Sequence, residues 1–172
     1  RNLSKSDAES AIMKASNYYV ENSYGKTWMT GDVFGEYALP INVTCDQYWI
    51  ITEALKLADA DVYFPNYSQV MIIVPADGCG WSGSGTIGDT SVLTLDGTVK
   101  VGISWINWTS NTISIYKRPL LVIGHELGHN FSNWHAGYYF CQTSNAVDYC
   151  FIDFYDDRYD IMGNRNAWHF NA

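Results

Sequence analysis

His125-Glu126-Leu127-Gly128-His129-Asn130-Phe131-Ser132-Asn133-Trp134-His135 decides how the rest of the chain is read. Two histidines four residues apart lie one turn from each other on the same face of a helix, so both imidazoles can reach one metal ion. Glu126 stands beside that face, where it can reach a water on the metal without being a ligand. His135 is too far along to share the turn, and it joins the pair only if the helix stops soon after His129 and the chain bends back. Three imidazoles with one open position is the arrangement of catalytic zinc, whereas a structural site is closed by a fourth protein ligand. Alone, the first pair would suit an ordinary helix. The third His at this spacing, in a chain with four His in all, favours metal.

Further on comes Tyr159-Asp160-Ile161-Met162-Gly163-Asn164. Together with Asn130 and His135-Ala136-Gly137, this run resembles the metzincin zinc endopeptidases. Within that clan the chain is most similar to the gametolysin family, extracellular proteases that open algal cell walls. The likeness spans roughly the last third of the chain, and its clan-level motif is the more specific part. It implies a zinc ion held by His125, His129 and His135, with Glu126 as general base and Met162 as an apolar support beneath the metal. No Tyr stands two residues after Met162, so the additional Tyr ligand of some metzincins is not expected. One position departs from the clan: Ser132 stands where Gly usually ends the helix in a left-handed conformation. Either Ser132 adopts that conformation, at a cost of about 1–2 kcal/mol, or Asn133 does and the turn shifts by one residue.

A length of 172 residues fits one domain, 1–172, with an upper part to residue 135 and a lower part from 136 that carries the Met turn. The chain is 47% hydrophobic yet has no apolar run of membrane-spanning length, so no membrane span is expected. Its 13 Tyr and 7 Trp suit a strand-rich body with an aromatic surface. A net charge of -8 argues against nucleic acid, which calls for a basic patch. The partner expected is a protein or peptide substrate, and the chain is expected to be a monomer.

The coarse order is helix, strand, helix, strands, zinc helix, irregular tail. Helical spacing of Ala8, Ala11, Ile12, Ala15 and Tyr19 predicts a helix over 6–23. Residues 27–37, aromatic and punctuated by Gly, read as a strand or a strand with a bulge. A second helix is predicted over 46–60, with Tyr48, Ile51, Leu55 and Ala58 on its apolar face. Val70-Met71-Ile72-Ile73-Val74 reads as a buried central strand. Residues 91–105 alternate, with a hairpin turn at Asp96-Gly97. The zinc helix is predicted over 117–131, with Pro119 in its first turn. The fold class is therefore α+β: a twisted mixed sheet, three main helices, the zinc helix at a cleft floor and an irregular C-terminal part.

Residues 78–88 are too Gly-rich for an interior strand and lack the Gly-Lys-Ser/Thr ending of a phosphate loop. They fit either a plain surface loop or an irregular edge segment lining the cleft, open to an extended peptide.

Four Cys permit three pairings; nearness in sequence favours Cys141–Cys150, which leaves Cys45–Cys79. Two disulfides, Asn-x-Ser/Thr sequons at Asn2, Asn42, Asn66, Asn107 and Asn130, and the extracellular habit of the clan favour secretion. Asn130, inside the zinc helix, is expected to be unmodified. Arg1-Asn2-Leu3-Ser4 is polar, so no signal peptide is expected in this chain, and a secreted form would arise by processing. Asp153, Asp156, Asp157 and Asp160 raise the question of a calcium site, but their spacing matches no known loop and a solvated acidic face is favoured. His169 reads as incidental.

The function these readings support is a secreted zinc endopeptidase acting on extracellular proteins. Matrix or cell-wall glycoproteins are the substrates the resemblance implies. The alternative is a catalytically silent zinc-binding or adhesion module, against which the intact Glu126 speaks. A zinc hydrolase acting on something other than protein is a third class, and it would release no new amino termini from peptides.

Overall fold

The computed structural model describes residues 3–40, 45–75, 78–108, 119–141, 150–163 and 168–170. The sequons at Asn2 and Asn42, the last residue of the Met-turn run, Asn164, and the expected first turn of the zinc helix at 117–118 lie outside them.

Helix α1 spans Lys5–Asn22 and begins where Ser4 and Asp7 bond reciprocally, each side chain taking the other's backbone N–H. Its buried face carries Ala8, Ala11, Ala15, Tyr18 and Tyr19, and the small alanines let the helix approach its neighbours closely. Helix α2 spans Gln47–Ala58, with the Asp46 carboxylate accepting from Trp49 N at 3.1 Å. Its apolar face is formed by Ile50, Ile51 and Leu55, while Tyr48, expected on that face, is exposed. Adding Ile50 rotates the stripe away from Tyr48.

Four strands form one mixed sheet: β1 Gln69–Val74, β2 Gly83–Gly85, β3 Thr90–Thr94 and β4 Gly97–Asn107. The long β4 is the central strand. It pairs in parallel with β1 and in antiparallel with β2 and β3. The expectation that residues 70–74 would be the central strand is thus corrected. Among the described residues β1 pairs with β4 alone, and its apolar run is explained by packing on both faces instead. Val70, Ile72 and Val74 turn toward α2, while Met71 and Ile73 turn toward α1 and the helix after the sheet. The hairpin between β3 and β4 turns one residue early, at Leu95 and Asp96, and Gly97 follows with φ 104°.

Residues 27–37 form no strand. They are fastened by side chains instead: Tyr67 donates to Asp32 at 2.7 Å, Tyr37 donates to Asp61 at 2.8 Å, and Met29 N donates to Ser16 Oγ at 3.0 Å. Of their aromatics, Tyr37 serves as a tether and Phe34 meets Tyr67 edge to face, while Trp28 is exposed.

Helix α3 spans Pro119–Asn130 and packs with α1 against the sheet face opposite α2. The sheet is therefore covered on both sides, which is why β4 is buried continuously from Val101 to Asn107. Its odd-numbered Val101, Ile103 and Trp105 face the α2 core, while Ser104 and Ile106 face α3. Each fully buried aliphatic side chain contributes about 1.5–3 kcal/mol to this three-layer arrangement.

The lower part is less irregular than expected. Strands β5 Tyr138–Cys141 and β6 Cys150–Asp153 form an antiparallel ribbon with Cys141 and Cys150 directly opposed and bonded. The other disulfide joins Cys45 to Cys79, tying the entry of α2 to the Gly-rich segment. Among the described residues no helix is long and apolar enough to cross a membrane. Two disulfides are compatible with an extracellular, oxidising setting.

Candidate metal centre

His125 and His129 project from α3 and both are buried, whereas His135 sits exposed on the chain that leaves the helix. The bend that brings it back is a helix-ending turn at Ser132, whose φ is 68°. Ser132 N donates to His129 O at 2.8 Å and Asn133 N to Gly128 O at 3.0 Å, the paired bonds of a Schellman motif. Ser132 itself therefore takes the left-handed position usually given to Gly, and the turn does not shift.

Two of the three rings have their tautomer set by backbone carbonyls. His125 Nδ1 donates to Ile161 O at 2.8 Å, and His129 Nδ1 donates to Asn133 O at 2.8 Å. Since a carbonyl can only accept, Nδ1 carries the proton in both rings and each Nε2 presents a lone pair. The Nε2 atoms of His129 and His135 stand 3.2 Å apart. Edges of about 3.3–3.4 Å are what tetrahedral bonds of 2.0–2.1 Å produce. One ring nitrogen from each His lies within 4.8 Å of the others, so closing the longest separation by roughly 1.5 Å would seat a single ion against all three.

Glu126 is buried between α3 and β2. A Cβ placed on Gly83 would lie 2.5 Å from Glu126 Oε1, and one on Gly85 would lie 2.7 Å from Glu126 O and 3.1 Å from His129 Cβ. The two glycines thus allow the edge strand to cross directly over the helix turn that holds Glu126 and His129.

Burial lowers the pKa of His125 to about 4, and it also lowers those of His129 and His135. The same cause raises Glu126 to about 8. At neutral pH the cluster consists of uncharged imidazoles beside a carboxyl group that burial discourages from ionising. A divalent cation reverses that penalty by supplying the missing positive charge. The nitrogen donors suit zinc and other late first-row metals rather than calcium or magnesium. By geometry and by donor chemistry, His125, His129 and His135 fit a metal ion.

Beneath the cluster, Asp160, Ile161 and Met162 are buried. Gly124 and Gly128, one turn apart on α3, make room for them. A Cβ on Gly124 would stand 2.6 Å from Ile161 Cδ1, and one on Gly128 would run into Met162 Sδ. Met162 N donates to Asp160 Oδ1 at 2.7 Å, and Ala136 N donates to Met162 O at 3.0 Å. The turn is thereby joined to the residue that follows His135.

Asn130 locks the end of α3 to the sheet. Its amide donates to Thr86 O at 3.1 Å and Ile103 O at 3.0 Å, and its oxygen accepts from Ser104 Oγ at 2.7 Å. It is buried, in keeping with an unmodified sequon.

The four aspartates do not behave as a solvated face. Asp160 is buried under the Met turn, while Asp153 and Asp157 accept from Tyr155 N and Tyr159 N two residues on, at 3.1 and 2.8 Å. Asp153, Asp157 and Asp160 close turns in the chain, and among the described residues the His triad is the group that could hold a metal. His169 stays apart, its Nε2 lying 3.0 Å from Glu21 Oε1 on α1.

Gly83, Gly85, Gly124, Gly128 and Tyr155 were not singled out as site residues by sequence. Small residues alternating at Gly83-Ser84-Gly85, and the four-residue spacing of Gly124 and Gly128, were the available signals. Tyr155 left none. Compared with protein-family models, curated proteins and solved structures, the chain matches none.

Proposed function

We propose that the chain is a secreted zinc endopeptidase with a metzincin-type catalytic domain, most like the gametolysins, acting on extracellular proteins such as matrix or cell-wall glycoproteins. The observation that carries this reading is the convergence of three imidazoles, with Glu126 buried on the same helix next to His125. His125, His129 and His135 would hold the zinc, which when bound acidifies a water and polarises a carbonyl. Glu126 accepts the proton of the attacking water at its carboxylate and returns it to the leaving amine. The edge strand β2 pairs with β4 alone among the described residues, and its outer edge is available to an extended peptide. Gly83 and Gly85 keep that edge within reach of Glu126.

Digestion of a mixed peptide library, read by mass spectrometry with and without a zinc chelator, tests the proposal. Internal cleavage that stops with chelator and returns with zinc is expected. One zinc per chain with no peptide cleaved would leave a binding module or a hydrolase of another substrate. Absence of bound zinc would remove the metal reading altogether.

A further inference from the structure

The three ligands are held unequally. His125 and His129 are fixed by helix α3 and by carbonyls under their Nδ1 atoms. His135 lies on an exposed loop, and its hydrogen-bonding contact among the described residues is with His129 itself. His129 Nε2 can only accept there, so in the metal-free protein His135 Nε2–H donates to it, and that bond is given up when an ion takes both lone pairs. A contact that survives metal binding must therefore come from elsewhere.

The group in that position is Tyr155. Its ring lies on His135 with centroids 3.9 Å apart and planes inclined by 39°, and its edge reaches toward His125 at 5.9 Å. The backbone carrying Tyr155 is clamped to the chain just after His135. Asp157 N donates to Ala136 O at 3.2 Å. Gly137 lies so close to Asp153 and Phe154 that a Cβ would collide with their backbone. Gly163 abuts the Asp157 backbone in the same way, tying this segment to the Met turn. Tyr155 is thus presented to His135 by a braced loop rather than by a mobile one.

We propose that Tyr155 is the positioning residue of the third ligand. Stacked on His135, its ring holds the imidazole with Nε2 toward His129, so the site is set before the metal arrives. This rests on the reading of the three imidazoles as metal ligands. The contribution comes from the face of the aromatic ring and does not require the hydroxyl. Loss of a group that orients a metal ligand typically lowers metal affinity by about 10–100-fold.

Zinc affinity, measured by competition with a chromogenic chelator in the wild type, Tyr155→Phe and Tyr155→Ala, tests it with zinc ion alone. Tyr155→Phe is expected to stay within about twofold of wild type and Tyr155→Ala to lose about tenfold or more. The melting temperatures of the metal-free proteins should agree, since Tyr155 is partly exposed. Tyr155→Ala binding like wild type would overturn the proposal while leaving the metal reading intact. Equal losses in Tyr155→Phe and Tyr155→Ala would overturn it in favour of the hydroxyl. A wild type that binds no zinc would instead remove the reading on which the proposal rests.

Discussion

Gly83 on the edge strand faces Glu126 on the helix with no room for a side chain, since a Cβ would stand 2.5 Å from Oε1 and 2.7 Å from Val122 Cγ1. The position of the carboxyl group therefore depends on an atom that is missing from another element. Gly83→Ala must displace Glu126, β2 or both. Misplacing a catalytic group by about 1 Å costs on the order of 100-fold in rate, so under the proposed role of Glu126 as general base turnover should fall by that amount while bound metal stays near one per chain. Gly80→Ala, whose Cβ meets nothing within 4 Å, serves as the control. Peptide cleavage rates with zinc analysis would decide.

Glu126 should also control how the metal-free protein responds to alkali. Its pKa rises from 4.5 to about 8 on burial, so the folded state holds a proton that the unfolded state releases. The resulting stabilisation is complete below pH 4.5 and is lost as pH rises through about 8. His125, lowered to about 4, acts in the opposite sense: its contribution is present above pH 6.5 and is lost as pH falls through about 4. Glu126→Gln removes the alkaline limb alone. The melting temperature of the metal-free variant should gain on wild type steadily between about pH 5 and pH 9. Parallel profiles for the two proteins would contradict the burial argument.

Ser132→Gly should stabilise the protein. A residue with a Cβ at φ 68° is strained, and its relief outweighs the chain entropy of Gly by about 1 kcal/mol or less. A rise in melting temperature of about 2–4 °C is expected, measured by calorimetry.

Asn130→Ala would take the Asn130 amide from the Thr86 carbonyl and the Ser104 hydroxyl, while Ile103 O keeps its bond from Thr86 N at 2.9 Å. A loss of about 2–4 kcal/mol is expected in urea unfolding. Ser104→Ala, which removes one of these bonds, should cost less.

Glycan mapping after secretion from a eukaryotic host should find Asn66 occupied and Asn107 and Asn130 bare. Asn66 is exposed, whereas Asn107 and Asn130 are 3% and 5% exposed. Asn107 also donates to Trp81 O at 3.0 Å.

The helices were legible because their signals are local. The predicted spans 6–23 and 46–60 differ from Lys5–Asn22 and Gln47–Ala58 by two residues or fewer at each end. The spacing of His125, His129 and His135 likewise carried over into a converging cluster. What escaped depends on partners distant in sequence. Residues 27–37 have the composition of a strand, but ladder bonds require a neighbour, and their tethers to Asp61, Tyr67 and Ser16 could not be read from their own residues. A glycine reveals little until the atom opposite it is known, so residues 78–88 could be read as a cleft-lining edge while the contact of Gly83 with Glu126 could not. Tyr155 belongs to the site through one face of its ring, and an aromatic among 13 Tyr gives no hint of that.

The bond from His125 to the carbonyl of Ile161 spans 36 residues. During synthesis, α3 emerges with two histidines and the glutamate already in sequence, yet the group that sets the His125 tautomer has still to be made. His135 likewise awaits Tyr155 and the turn at Met162. A nascent chain can therefore form the helix long before it can form the site. The arrangement that could hold a metal is thus a property of both halves together, and the His-bearing helix precedes it in synthesis.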